Sequence, residues 1–305
     1  MNICITGALG HIGSALIRSL NNSSIDKIHL VDNMKKQRYC SLFDLPKKNF
    51  IFHQLDILSP KMEEIIEDCQ IVIHLAAISD AESSLKDIKE VNRVNKKGLY
   101  YIADLCSKHH SSLFFPSTTS VYGSSSRLQP QTPYAQSKLF GEKYLQSLAK
   151  KQKLNYLIFR LGTIFGYSIG MRFNTAVNKF VFQAATNQSI TVWKTAYNQK
   201  RPYCDLVDSI NAINYVIANN SFDNQIYNIV TINLTVKDII KVIKKYIPSL
   251  HISFVNSPIM NKLSYAISNK KSLKKGFIYK GNLDKSVKEY IKKLENINYL
   301  VKKEL

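Results

Sequence analysis

Tyr134 and Lys138, in the run P-Y-A-Q-S-K, are four residues apart and share one face of any helix that carries them. Upstream, Ser117-Thr118-Thr119-Ser120-Val121-Tyr122-Gly123 offers hydroxyls that could hold a reacting oxygen. Near the N-terminus, Gly7-Ala8-Leu9-Gly10-His11-Ile12-Gly13 follows an apolar run and opens a helical pattern. Glycines there allow a tight turn and let backbone N–H groups at the helix start approach a pyrophosphate. Asp32 follows about twenty residues later, where a carboxylate accepts hydrogen bonds from an adenosine ribose and repels a 2′-phosphate. That pairing favours NAD over NADP. A phenol with a pKa near 10 is a poor base at neutral pH. The Lys138 ammonium and a positive nicotinamide ring would favour its phenolate and fit Tyr134 for acid/base work.

Each piece has an ordinary reading when taken alone. Glycine loops serve any tight strand-to-helix turn, an Asp at a strand end can cap a loop, and Tyr/Lys pairs are common on exposed helices. Weaker signals fall at two further strand ends. Asp56-Ile57 could touch an adenine, and Leu75-Ala76-Ala77 puts small residues where a cofactor would pass.

The elements that would position these residues follow from periodicity. Strands are expected at 2–6, 27–32, 50–56, 71–76, 112–117 and 156–161. Helices are expected at 12–20, 91–109 and 134–152. Alternating strands and helices with short connections imply an α/β fold with a doubly wound, Rossmann-type parallel sheet. The Thr118 loop then lies at the carboxyl end of the sheet, where ligands bind in such folds. Residues 1–166 read as the NAD-binding domain. Residues 167–305 read as a smaller mixed α/β substrate lobe, with some segments returning to the sheet. Within that lobe 236–247 is an amphipathic helix, and the stretch from Lys262 is Lys-rich and alternates polar and apolar residues.

Bulk composition narrows the field. The 305 residues are 45% hydrophobic and 21% charged, which excludes a disordered or fibrous chain. Five scattered Cys form no C-x-x-C pair, and seven His show no metal spacing, so no metal site is expected and a reducing cytoplasm fits. The N-terminus does not read as a signal peptide, and no stretch has the length of a membrane span. The net charge of +20 suits an anionic partner. Only seven of the 42 basic residues are Arg (18, 38, 93, 127, 160, 172 and 201), and the Lys residues are spread along the chain rather than gathered in a stripe. No nucleic-acid partner is expected.

Together these residues resemble the extended short-chain dehydrogenase/reductase family, in its nucleotide-sugar epimerase/dehydratase branch. The resemblance runs along nearly the whole chain. It rests on the G-x-x-G-x-x-G at Gly7, on Asp32-Asn33, on H-L-A-A at 74–77 and on Asn95-Lys96-Lys97-Gly98. It continues with S-T-x-x-V-Y-G from Ser117, P-Y-x-x-S-K from Pro133, Arg160 with Gly166, and Arg201-Pro202-Tyr203 with Val207-Asp208. The resemblance implies Tyr134 as acid/base, Thr118 as the hydroxyl partner, and Lys138 on the nicotinamide ribose. It implies cofactor contacts at Asn33 and Asn95, and substrate contacts at Thr119, Arg172, Asn178 and Arg201. A guanidinium suits a diphosphate because it binds two oxygens at once. One departure stands out: many relatives carry an Asn three residues after the Arg matching Arg160, where this chain has Thr163.

The loop after Thr118 bears on the reaction. Relatives that dehydrate resemble T-D-E-V-Y-G, with an acidic pair for the extra proton transfers. Thr119 and Ser120 carry no carboxylate, and the sequence is similar to the 4-epimerase pattern. The resemblance thus implies NAD-dependent epimerisation of a nucleotide-diphosphate sugar at C4, a place in polysaccharide biosynthesis, and a homodimer. A reductase, dehydrogenase or dehydratase of the same family is the nearest alternative. A nonenzymatic dinucleotide- or RNA-binding relative is the alternative of another class, and retention of Tyr134 and Lys138 argues against it.

Overall fold

A computed structural model describes residues 1–20, 24–46, 49–80, 83–123, 128–151, 153–256 and 264–296. Expectations touching Arg127, Gln152 and Lys262 lie outside the described residues. The strands are β1 (Ile3–Thr6), β2 (Ile28–Asp32), β3 (Phe50–Gln54), β4 (Ile71–His74), β5 (Ser112–Thr118), β6 (Tyr156–Leu161), β7 (Thr163–Phe165), β8 (Ile190–Trp193), β9 (Arg201–Asp205), β10 (Gln225–Ile229), β11 (Ile232–Leu234) and β12 (Ile252–Val255). The helices are α1 (His11–Ser19), α2 (Met62–Glu67), α3 (Ile88–Val91), α4 (Leu99–Lys108), α5 (Pro133–Lys150), α6 (Ala176–Ala185), α7 (Leu206–Ala218), α8 (Val236–Tyr246), α9 (Lys270–Lys274) and α10 (Leu283–Lys292).

Seven strands form one parallel sheet in the order β10-β6-β5-β4-β1-β2-β3. The order reverses between β1 and β4, so the chain winds outward in both directions from the centre. Both faces are covered, which is why these strands read as continuous apolar runs. Ile71 and Ile73 join Phe114 under α1 and α7, while Val72 joins Leu113 and Phe115 under α2, α4 and α5. A third core gathers α6, α8 and α10 around Phe165, Val181, Ile239 and Val287.

β10 pairs with β6 in the large sheet, and α7 packs against α1. The segment after residue 166 therefore supplies one edge strand and one covering helix to the sheet. Its other strands form two small sheets, β11-β9-β7 and β12-β8. Expectation and structure differ at several places, and β3, expected to reach residue 56, ends at Gln54. The strand expected to reach residue 76 ends at His74, which frees Leu75-Ala76-Ala77 as a loop. The helix expected over 91–109 starts earlier, at Ile88, and passes through a π-helical turn at Asn92–Gly98, whose hydrogen bonds span one residue more than in an α-helix, before α4. Residues 283–292 form a helix although the Lys-rich sequence obscured it. Leu283, Val287 and Tyr290 are its buried stripe, and the Asn282 side chain accepts from Lys285 N.

Candidate active site

Gly7, with φ +65°, makes the tight turn at the end of β1. A Cβ there would stand 2.6 Å from the Ala76 nitrogen, so the glycine lets the loops after β1 and β4 touch backbone to backbone. A Cβ at Gly13 would stand 2.4 Å from the Ala8 carbonyl oxygen, which seats α1 close against its own entry loop. Gly10 starts α1 with no side-chain cap, and no acidic residue lies in the first turn. The N–H groups of the first turn, at His11, half-buried Ile12 and Gly13, are therefore available to an anion.

Asp32 ends β2 beside this loop, accepting from Leu9 N at 3.2 Å and from Met34 N at 3.0 Å. Asn33 is exposed and accepts from Lys35 N. The half-buried Arg38 guanidinium lies 3.5 Å from where a Gly10 Cβ would be, and Asp32 acts on its charge. Arg38 was not singled out in the sequence. Its one signal there is being one of seven Arg in a chain whose basic residues are mostly Lys. An uncapped helix start, a carboxylate at the strand end and a guanidinium over the glycines together fit a dinucleotide.

His11 is buried, and its Nε2 bonds the Gly166 carbonyl at 2.9 Å while Nδ1 has no partner. Burial, chiefly, pushes its pKa down to about 4, so the ring is neutral at pH 7. Ser14 and Ser168 continue the seam: their hydroxyls meet at 3.1 Å, and Gly170 N donates to Ser14 Oγ at 3.0 Å. The loop after β7 thus lies on the glycine loop and carries Arg172 toward the Tyr134 phenol.

The loop after β4 is held from two sides. Ala76 N donates to Thr6 Oγ1, which also meets His74 Nδ1 at 2.9 Å. Asn95, from the π-helical turn, takes Ile78 N at 2.8 Å and gives to Ile78 O at 2.9 Å and Ser137 Oγ at 3.1 Å. Its carboxamide is committed to the loop and to α5, so it places Ala76 and Ala77 rather than facing a cofactor. Asp56 is likewise engaged, by Arg93 and by Leu58 N, and Ile57 is buried against Gly98.

Thr118 is the last residue of β5 and receives Ser120 N on its hydroxyl. Pro133 and the Thr132 cap start α5, which brings the half-buried Tyr134 to Thr118 within hydrogen-bonding reach. Lys138 is buried one turn on, its Nζ 4.5 Å from the centre of the Phe115 ring. Burial pushes its pKa down to about 7, with Glu142 opposing. Spacing alone predicts that the Lys138 ammonium, with the nicotinamide charge, draws the Tyr134 phenol down. Burial instead pushes the phenol up, and the opposing influences are the Arg172 charge and the Thr118 hydroxyl.

Thr119 is buried beside Thr118. Arg172 donates to the Ser79 carbonyl and hydroxyl at 3.1 and 2.6 Å. Asn178 was expected on a phosphate. It is fully buried, accepting from Gly166 N and donating to Arg172 O, and so shapes the loop that holds Arg172. Arg201 starts β9, bonded to Gln199 and stacked 5.4 Å from the Tyr265 ring centre. Arg160, part of the motif with Gly166, pairs with buried Glu142. Among the described residues no group of three His, Cys, Asp or Glu could hold a metal, and no helix is long and apolar enough to cross a membrane.

A family model described as the NAD dependent epimerase/dehydratase family matches residues 3–230. A dTDP-D-glucose 4,6-dehydratase of Dictyostelium discoideum is 30% identical over 75% of this chain, which spans 58% of that protein's length. A protein of Bacillus subtilis described as an uncharacterized UDP-glucose epimerase is 26% identical over 75% of this chain and 76% of its own. Among solved structures, the UDP-glucuronic acid 4-epimerase of Bacillus cereus in complex with UDP-glucuronic acid and NAD superposes with a TM-score of 0.85. It is 26% identical and covers 96% of this chain and 100% of its own.

Proposed function

Since the chain belongs to the NAD-dependent epimerase/dehydratase family, we propose that it epimerises a nucleotide-diphosphate sugar at C4 through a transient 4-keto sugar. One observation carries the reading. Tyr134 stands beside Thr118 at the carboxyl end of the sheet, with Lys138 buried one turn further along α5, while the neighbouring Thr119 and Ser120 bring no carboxylate. Elimination would need a proton donor and acceptor beyond Tyr134. Epimerisation needs one group that takes a proton from the C4 hydroxyl and returns it. Two relatives named as UDP-sugar epimerases support the same reaction class.

In this reading Thr118 holds the C4 oxygen and Tyr134 exchanges its proton. Bound NAD supplies the acceptor, and then the donor, of the C4 hydride. The first-turn N–H groups of α1 take its pyrophosphate, Asp32 its adenosine ribose, and the Lys138 ammonium its nicotinamide ribose. Arg172 favours the Tyr134 phenolate and faces the sugar, while Arg201 takes the diphosphate. Burial strengthens these charge interactions because little water competes. We also propose a homodimer through α4 and α5. Phe140 on α5 is 48% exposed, an apolar ring on the outer side of that helix that a second copy would cover.

The test incubates the protein with NAD and a panel of nucleotide sugars and reads the C4 configuration by NMR. The expected product is a mixture of C4 epimers with no net NADH. NADH release over many turnovers would assign a dehydrogenase instead, and a 4-keto-6-deoxy product a dehydratase.

A further inference from the structure

Tyr134, Lys138 and Glu142 occupy successive turns of one face of α5, and Glu142 has no part in the reaction above. It is 1% exposed. Its Oε1 accepts from Ser117 Oγ at 2.5 Å and Arg160 Nε at 2.9 Å, and its Oε2 accepts from Arg160 Nη2 at 2.6 Å. Arg160 Nη1 donates to the Tyr122 hydroxyl at 2.8 Å, which donates to Asn228 Oδ1 at 3.0 Å. Ser117, Arg160 and Asn228 are register partners across β5, β6 and β10, so their side chains share one face of the sheet. Ser117 immediately precedes Thr118, and Tyr122 closes the short 3-10 turn that follows it. One buried ion pair therefore grips both ends of the segment that carries Thr118.

A buried ion pair is poor evidence of stability, because apolar residues of the same volume often serve as well or better. Its placement points to another use. Resting on the assignment of Tyr134 and Lys138 as the reacting pair, we propose that Glu142 and Arg160 are positioning residues. They clamp the Thr118 segment and balance the charge felt by the Lys138 ammonium. That ammonium faces Glu142 from α5, His74 from β4 and the Phe115 ring from β5, with Tyr134 one turn before it on α5 and Arg160 of β6 paired to Glu142. His74 is neutral, pushed down to about 3 chiefly by burial. Glu142 is thus the carboxylate that favours the ammonium, and Arg160 tempers it.

Two variants that each remove one charge of the pair should move Lys138 in opposite directions. Glu142→Gln removes the favourable charge and leaves Arg160 unbalanced, so Lys138 loses its proton at lower pH. Arg160→Gln leaves Glu142 alone with the ammonium, so Lys138 keeps its proton to higher pH. Turnover should fall as Lys138 deprotonates, near pH 7 in the wild type. The alkaline limb of kcat should shift about one pH unit or more to acid in Glu142→Gln and to alkali in Arg160→Gln. NAD affinity, read by calorimetry across the same pH range, should shift with the same signs. Limbs that stay in place, or move together, would overturn the proposal.

Should thermal unfolding show either variant to be unfolded, Tyr122→Phe and Ser117→Ala each remove one hydroxyl of the clamp. Each should lower kcat about tenfold with KM for NAD unchanged, as expected for lost positioning. Undiminished kcat in both would overturn it. The measurement follows whichever turnover the wild type shows. A wild type that makes no C4 epimer therefore counts against the proposed reaction alone.

Discussion

Asn95 bonds both backbone groups of Ile78, at 2.8 Å to its N–H and 2.9 Å to its carbonyl, much as a neighbouring strand would. A loop that has left the sheet thereby keeps its hydrogen bonds satisfied within reach of the glycine loop. Asn95→Ala should cost about 1–2 kcal/mol of stability, the scale of stranded backbone groups. It should also weaken NAD binding, because Ala76 and Ala77 ride on that loop. Urea unfolding and calorimetric titration with NAD read the two effects. Unchanged affinity would mean that the loop does not meet the cofactor.

Tyr134→Phe keeps the ring and removes the proton-transfer oxygen. Turnover should fall about a thousandfold or more, within the usual range for a lost acid/base group. NAD affinity should stay within about threefold, since the ring keeps its packing. Steady-state kinetics and NAD titration of the same preparation separate the two. Substantial residual turnover would place the acid/base elsewhere.

His11 and His74 are both buried and neutral, pushed down to about 4 and about 3 chiefly by desolvation. Unfolding returns each to its ordinary pKa near 6.5. Between pH 6.5 and about 4 the unfolded chain then binds more protons than the folded one, so stability falls as pH falls. Each histidine contributes a slope of about 1.4 kcal/mol per pH unit across that window. Urea unfolding at pH 6.5, 5.5 and 4.5 gives the slope, and His74→Gln should reduce it by about one proton. A flat profile would show that these rings already protonate in the folded state.

Gly170 joins the loop after β7 to the glycine loop, and a Cβ there would stand 2.2 Å from the Leu9 carbonyl oxygen. Gly170→Ala must push the two loops apart, at about 1–3 kcal/mol. Arg172, two residues on, would move away from Ser79. KM for the nucleotide sugar should rise about tenfold while the seven-stranded sheet keeps its circular dichroism. An unchanged KM would detach Arg172 from the substrate.

Local order made much of the fold readable. Six strands and the helices beginning near residues 12, 134 and 236 follow from runs of apolar residues at fixed periods, and they stand within a few residues of the expected bounds. The region after residue 166 was harder. The α10 stripe of Leu283, Val287 and Tyr290 is spaced correctly, but the Lys residues around it hide the pattern. β10 joins the sheet beside β6 across more than sixty residues of sequence, a pairing no short window contains.

The chain's own order determined the glycine turn, the carboxylate at the end of β2 and the Tyr134/Lys138 spacing, because each depends on neighbours a few residues apart. Tertiary structure decided what those groups feel. Burial, rather than the adjacent ammonium, governs the Tyr134 phenol, and the opposing charge comes from Arg172, 38 positions later. Asn95 and Asn178 carry suitable chemistry for ligands, yet backbone groups brought in by folding occupy them. Glu142 and Arg160 are 18 positions apart and become one ion pair only when α5 crosses β6. Desolvation and long-range pairing arise on packing, so residue type and spacing do not carry them.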